Sequence, residues 1–145
     1  MKIHQLSLFL ENEPGQVIDV CRTLVREGID IRTLMLADAQ QFGILRLIVS
    51  DWQAGARALT DAGFVVNATE VVAAEVPDRP GGLAELLELI DGTDTNIEYM
   101  YTCTLGRGAA VLIFRFDDPD RAIEQLQKSA VNVLNAVDVY NCAGK

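Results

Sequence analysis

The chain is poor in the residues that build metal centres and disulfide frameworks: one histidine and three cysteines in 145 residues, with 12 basic residues against 21 acidic. Each shortage removes a class of chemistry. His4 lies on the apolar side of a strand pattern, and no second histidine or cysteine stands at ligand spacing, so a zinc-type site has nothing to assemble from. Cys21, Cys103 and Cys142 are odd in number, widely spaced and each set in an apolar pattern, which reads as buried or spectator thiols. A formal charge of -9 gives the molecule a field that repels polyanions and argues against nucleic acid or an anionic membrane as partner. An RNA-reading sheet needs exposed strand aromatics amid basic charge, and this chain is acidic. No apolar run reaches membrane-spanning length, and the opening residues enter an alternating strand pattern instead of a secretory signal, so a cytoplasmic location is expected.

What the chain does have is a repeated corner. Leu10 to Val17 reads LENEPGQV, and Glu75 to Leu83 reads EVPDRPGGL; Pro14-Gly15 recurs as Pro80-Gly81, 66 residues on. In both copies an apolar strand end turns through polar residues and Pro-Gly into a helical apolar pattern, the mark of an internal repeat. Half the residues are apolar, enough for a real core. A single unit of this length is marginal alone because it buries too small a fraction of its surface, so two repeats sharing an interface are expected.

Ile3 to Leu10 alternates with period two and reads as a strand. Val17, Ile18, Cys21, Leu24 and Val25 recur at helical spacing until Gly28. Ile29 to Ala37 and Phe42 to Ser50 form a hairpin around an Asp-Ala-Gln-Gln turn. A second helix follows, capped near Asp51 and stopped at Gly63, and Phe64 to Ala68 is a fourth strand. The second half replays this order: a strand over Glu70 to Val76, a helix striped by Leu83, Leu86, Leu87 and Ile90, and a hairpin of Asn96 to Leu105 with Ala109 to Phe116. A helix opened by Asp118-Pro119 comes next, then a last strand from Val131 to about Asn141, whose tail is expected to pair with the first half or with a second chain. The fold class is therefore α+β, two ferredoxin-like βαββαβ repeats over residues 1–68 and 69–145, with antiparallel sheets and no flexible linker.

The repeated Pro-Gly corner, with DRPGGLAELL, NIEYMY and AVLIFRFDDPDRAI in the second half, resembles the ACT domain, and the whole chain is similar to the stand-alone tandem ACT proteins. That resemblance implies a free amino acid bound at an interface between ACT units, against the corner before the first helix of one unit and the start of the second strand of its neighbour. Physical chemistry agrees: glycine lets backbone N–H groups approach a carboxylate, and the helix N-terminus adds about half a positive charge there. Carried across residue by residue, the corner of the first half is Asn12, Glu13, Pro14, Gly15 and Gln16, and that of the second is Asp78, Arg79, Pro80, Gly81, Gly82 and Leu83. The strand openings are Asp30-Ile31 and Asn96-Ile97. Tyr99 and Tyr101 share a strand face and serve equally well as pocket wall or core. Asn12 with Asn96 offers two amides to a zwitterion, whereas Asp78 with Asp30 repels carboxylate unless Arg79 compensates. Glu13 and Arg79 also read as solvated corner charges, and Asp117, Asp118 and Asp120 as helix capping.

The function expected on this resemblance is a non-catalytic amino-acid sensor without cofactor or metal, a homodimer whose output passes through a partner enzyme or transporter. Its rival is a ligand-free dimerisation module or regulatory subunit of an amino-acid biosynthetic enzyme. No nucleophile with a nearby base and no paired catalytic carboxylates point to an enzyme.

Overall fold

A computed structural model describes residues 1–37, 41–103 and 110–140. The elements run β1 (Ile3–Glu11), α1 (Gln16–Arg26), β2 (Ile31–Ala37), β3 (Phe42–Val49), α2 (Trp52–Asp61) and β4 (Val65–Val76). They continue with α3 (Gly82–Ile90), β5 (Ile97–Cys103), β6 (Ala110–Phe116), α4 (Pro119–Lys128), β7 (Val133–Leu134) and α5 (Ala136–Tyr140). The chain divides into two compact units, a first of His4–Thr69 and a second of Met1–Ile3 with Glu70–Lys145. Strand order in the first is β2-β3-β1-β4. In the second it is β5-β6-β4-β7, with antiparallel neighbours throughout. Each unit is thus an α+β sandwich of the βαββαβ type that the sequence predicts.

Two periodicities build each core. In the first unit Leu6, Leu8 and Leu10 occupy alternate positions of β1, with Leu6 opposite Leu47 and Leu8 opposite Leu45 on β3. Val20 and Leu24, four apart on α1, and Leu59 on α2 close over them. Helix α2 lies so near the sheet that a Cβ on Gly55 would meet Val49 Cγ2 at 3.2 Å and Leu6 Cδ1 at 3.3 Å. The second unit repeats the plan with Val72, Ala74 and Val76 of β4, Leu112, Phe114 and Phe116 of β6, and Leu86, Ile90, Ala122 and Leu126 from the helices. Each such valine, leucine, isoleucine or phenylalanine, fully buried, contributes about 1.5–3 kcal/mol, and each alanine less. His4 stacks on Trp52 at the start of α2, ring centroids 4.1 Å apart and planes within 13°, so it is a packing residue of the first unit. In the second unit Lys2 lies 3.3 Å from Glu70 and 3.1 Å from Asp120; hydrogen bonds to Asp120 and then Glu70 raise its pKa above the ordinary lysine value. Cys21 and Cys103 are free thiols, the first half-buried and the second buried.

Two sequence expectations are corrected. Phe64 to Ala68 and Glu70 to Val76 are expected as separate strands, yet residues 65–76 form one unbroken strand, β4. Strand ladders are made by backbone groups, so the polar run Asn67, Thr69 and Glu70 does not interrupt it. The expected closing strand from Val131 to about Asn141 is only Val133–Leu134, opposite Ala74 and Ala73, followed by helix α5. The helix wins over β-branched Val137 and Val139 because its N-terminus is capped reciprocally. Asp138 N–H donates to Asn135 Oδ1 at 2.9 Å, and Asn135 N–H reaches Asp138 Oδ2 at 3.4 Å. Residues 136–140 therefore supply no spare strand for another sheet. Most of the first hairpin turn, the Gly106 to Gly108 turn and Cys142 lie outside the described residues. No helix among the described residues is long and apolar enough to cross a membrane.

Candidate functional site

Of the two long helices in each unit, one is capped by a side chain and the other is bare. Asp51 accepts the Ala54 N–H at 3.0 Å at the start of α2, and Asp118 accepts the Arg121 N–H at 3.1 Å at the start of α4. The capping reading of Asp118 thus holds. Helices α1 and α3 instead follow Gly15 (φ 93°) and Gly81 (φ 86°), both left-handed, and neither has a side-chain cap. An uncapped first turn presents N–H groups together with the positive end of the helix dipole. The Pro-Gly corners therefore leave the first turns of α1 and α3 without a side-chain acceptor, the geometry in which a helix start can take an anion.

The two corners share a backbone and differ in contents. In the first, Glu13 N–H donates to Glu11 O at 2.8 Å; in the second, Arg79 N–H donates to Pro77 O at 2.9 Å, the same turn 66 residues on. Beyond that they part. The first corner opens on a hollow of about 170 Å³, walled by Leu10, Val17, Leu36 and Gly43 and edged by Glu11, Asn12, Glu13 and Gln16. Its size is below the about 300–1,000 Å³ of drug-sized pockets, which limits an occupant to a small metabolite. Donors from the helix end and the Asn12 and Gln16 amides lie beside acceptors on Glu11 and Glu13, a set that complements a zwitterion.

The second corner is occupied by its own groups. A Cβ on Gly82 would fall on the Pro77 carbonyl oxygen, so the chain is closed tightly where the first corner carries Gln16. Arg79 Nη2 reaches both carboxylate oxygens of Glu85, at 2.9 and 2.7 Å, and Glu85 stands in the first turn of α3. Arg79 is therefore committed to an internal acid and does not stand free to compensate Asp78.

The strand openings lie far from the corners of their own units. Ile31 is opposite Val49 at one end of β2, and Ala37 is opposite Ile44 at the other, next to Gly43 and Leu10. Six strand steps separate Ile31 from the corner end, about 20 Å at roughly 3.3 Å each. Asp30 accepts from Arg32 Nη1 at 2.7 Å, and its N–H donates to Ser50 Oγ at 3.0 Å, so its charge is also engaged. In the second unit Asn96 N–H donates to Asp117 Oδ1 at 2.8 Å. Beside it lies an open hollow of about 650 Å³ that includes Asp91, Asp94, Thr95, Asn96, Ile97 and Asp117. Thr95 Oγ1 is buried there without a hydrogen-bond partner among the described residues. Tyr99 lines neither hollow: it stands opposite Arg115, whereas Met100 on the other face packs into the helix-side core.

Sequence reasoning thus finds Asn12, Glu13 and Gln16 but misses the walls Leu36 and Gly43, which come from the hairpin and are placed only by strand register. It also misses Asp91, Asp94 and Thr95. The signal in the sequence is the polar run Asp91, Asp94 and Thr95 directly before Asn96. Among the described residues no group of three or more His, Cys, Asp or Glu side chains could hold a metal ion.

The family model of an ACT domain pair matches residues 1–142. A solved protein of Bacteroides thetaiotaomicron is 39% identical over 97% of this chain and 96% of its own, with a TM-score of 0.91. The ligand-free regulatory subunit of aspartate kinase from Thermus thermophilus is 17% identical, covering 87% of this chain and 91% of its own, with a TM-score of 0.62. Aspartate kinase from Synechocystis is 18% identical over 87% of this chain and 25% of its own, with a TM-score of 0.61. At these two lower identities the likeness is one of fold. No curated protein matches the chain.

Proposed function

This chain belongs to the ACT domain pair family, and from that premise we propose that it is a non-catalytic sensor that binds a free amino acid at the junction of two ACT units. The observation that carries the reading is the hollow at the Pro14-Gly15 corner, where the uncapped end of α1 meets the amides of Asn12 and Gln16 and the carboxylates of Glu11 and Glu13. An amino acid offers a partner to each part of this set: its carboxylate to the helix end and its ammonium to the glutamates. Within one unit the strand opening is about 20 Å away at roughly 3.3 Å per residue, so the opening that completes the site belongs to a neighbouring unit, which we take from a second copy of the chain.

The competent combination in this reading is Asn12, with Glu13, Pro14, Gly15 and Gln16, against Asn96 and Ile97. The orphaned Thr95 hydroxyl and the acids Asp91 and Asp94 beside Asn96 favour an ammonium or water at that opening. The other combination, Asp78 through Leu83 against Asp30 and Ile31, is the altered site. Its Arg79 and Asp30 are satisfied by Glu85 and Arg32. Tyr99 contributes from the strand rather than from the hollow. Ligand binding shifts the docking of two units only by its differential affinity, commonly about 1–3 kcal/mol, and a partner enzyme or transporter reads that shift.

The test is thermal shift and calorimetry of the full chain against each of the twenty amino acids. Stabilisation by one or a few supports the sensor. Flat responses to all twenty overturn it and leave the dimerisation module or regulatory subunit.

A further inference from the structure

The hollow at the first Pro-Gly corner lies wholly within the first unit, and one of its walls is a glycine that the backbone does not call for. Gly43 sits inside β3 in an unbroken register, with Phe9 opposite Ile44, Leu10 opposite Gly43 and Glu11 opposite Phe42. The register shift along β3 lies at its other end, between Ile31 and Thr33 of β2. The φ of Gly43 is outside the left-handed region, so the backbone there accepts an ordinary side chain. Glycine inside a strand weakens it; where no bulge or turn requires one, its remaining use is close approach of another group. The nearest protein atom is the tip of a flexible chain: a Cβ on Gly43 would meet Leu36 Cδ1 at 3.2 Å, then the Ala37 carbonyl oxygen at an ordinary 3.6 Å. Leu36 is exposed and has room to give way, so its packing does not demand a glycine.

The second unit fills the same position. Opposite Val76, the counterpart of Leu10 66 residues on, stands Ala110. That unit also uses its first helical donor internally: Gly82 N–H donates to Arg79 O at 3.0 Å, whereas Gln16 N–H has no acceptor among the described residues. The open donor and the missing methyl thus occur together, at one corner and not at the other. Inside the hollow Leu10, Val17 and Leu36 present only carbon, and the polar groups of Glu11, Asn12, Glu13 and Gln16 stand along its edge. A charged side chain entering between those walls loses hydration and gains no partner. An aliphatic one gains by burial.

We infer that Gly43 is the size gate of this hollow: the side chain it lacks leaves room for that of an aliphatic amino acid between Leu10, Val17 and Leu36, while the ligand's ammonium and carboxylate stay at the polar edge. The inference rests on the amino-acid reading of the corner and deepens it by naming the class of ligand and the residue that sets its size. A methyl at position 43 takes up the place of one ligand carbon, and one carbon more or less in an apolar pocket changes affinity about 10- to 200-fold.

Calorimetry of the full-length wild type and Gly43→Ala with alanine, valine, leucine and lysine tests it, with circular dichroism to verify that the variant is folded. The wild type is expected to bind valine or leucine about tenfold or more tighter than alanine or lysine. Gly43→Ala is expected to weaken valine and leucine by about tenfold or more while alanine stays within about threefold, so that the preference moves toward the smaller side chain. Should Gly43→Ala fail to fold, Val17→Leu narrows the same hollow from the exposed start of α1 and is expected to produce the same selective loss. A wild type that prefers lysine or alanine, or a folded variant that weakens alanine and leucine alike or neither, overturns the gate and leaves the sensor standing, because an amino acid is still bound. Absence of heat with every one of the twenty amino acids removes the sensor and the gate together.

Discussion

The two Pro-Gly corners begin from the same backbone turn and end in opposite states. Gln16 follows the first Pro-Gly and leaves a hollow; Gly82 follows the second and lets the chain close onto Pro77, with Arg79 and Glu85 paired across the helix start. The corners differ at Asn12 and Asp78, Glu13 and Arg79, and Gln16 and Gly82; both helices carry an acid in the first turn, Asp19 and Glu85, and in the second unit that acid pairs with the corner's own Arg79. The repeat therefore preserves the turn while the residues set on it diverge.

The largest expected effect is the attempt to give the second corner a side chain. Gly82→Ala places a methyl on the Pro77 carbonyl and is expected to cost about 3 kcal/mol, seen as a lowered urea midpoint. The converse change, Gln16→Gly, meets no such obstacle and is expected to cost about 1 kcal/mol or less of helix propensity. Equal losses from both would show that the corners do not differ in closure.

Next comes ligand affinity. With the amino acid found by screening, Asn12→Ala and Asn96→Ala are each expected to lose about 1–2 kcal/mol, roughly five- to thirty-fold in Kd, because a polar partner of the zwitterion is removed. Asp78→Ala and Asp30→Ala are expected to leave Kd within about twofold, since a factor of two is about 0.4 kcal/mol. Calorimetry on the four variants checks this, and equal losses at all four positions would remove the asymmetry.

A smaller difference lies at the ends of the capped helices. Gly63 (φ 96°) and Ala130 (φ 61°) occupy the same left-handed turn after α2 and α4, and each donates its N–H three residues back, to Thr60 O at 3.0 Å and Gln127 O at 3.1 Å. Alanine holds that conformation at a steric cost of about 1–2 kcal/mol that glycine avoids, partly offset by glycine's greater unfolded-state entropy. Ala130→Gly is expected to raise stability by about 0.5–1 kcal/mol in chemical denaturation.

The smallest effect is electrostatic. The pKa of Lys2 is raised in the folded chain, so its contribution to stability is complete below the unfolded lysine value of 10.5 and is lost as pH rises through the higher folded value. Lys2→Ala is expected to lower the melting temperature slightly at pH 8 and not at all once Lys2 is neutral, with salt shrinking the difference. A difference that persists in strong alkali would assign Lys2 a packing role instead.

Local signals made most of the fold legible. Alternation in β1 and the Asp51 and Asp118 caps are written within a few residues of where they act, whereas the stripe of Val17, Ile18, Cys21, Leu24 and Val25 marks α1 as a helix but misses its buried face, which is Val20 and Leu24 while Val17, Ile18 and Val25 are exposed. In the single strand β4, side-chain polarity at Asn67 to Glu70 imitates a break in a ladder that is made by backbone. At α5, Val137 and Val139 imitate strand alternation, although one is 64% exposed and the other buried, and the Asn135 and Asp138 cap is the signal that marks the helix. Along the hollow at the first corner, Asn12, Glu13 and Gln16 are close in sequence and so legible in it. Leu36 and Gly43 reach it from across the sheet, through a register that no local pattern encodes.

The stack of His4 on Trp52 has a practical consequence. Trp52 is the chain's one tryptophan and lies in the first unit, so its fluorescence reports that half alone, while far-ultraviolet circular dichroism reports both. Coincident melting curves from the two signals would mean that the halves unfold as one cooperative block; separated curves would resolve the order in which they come apart.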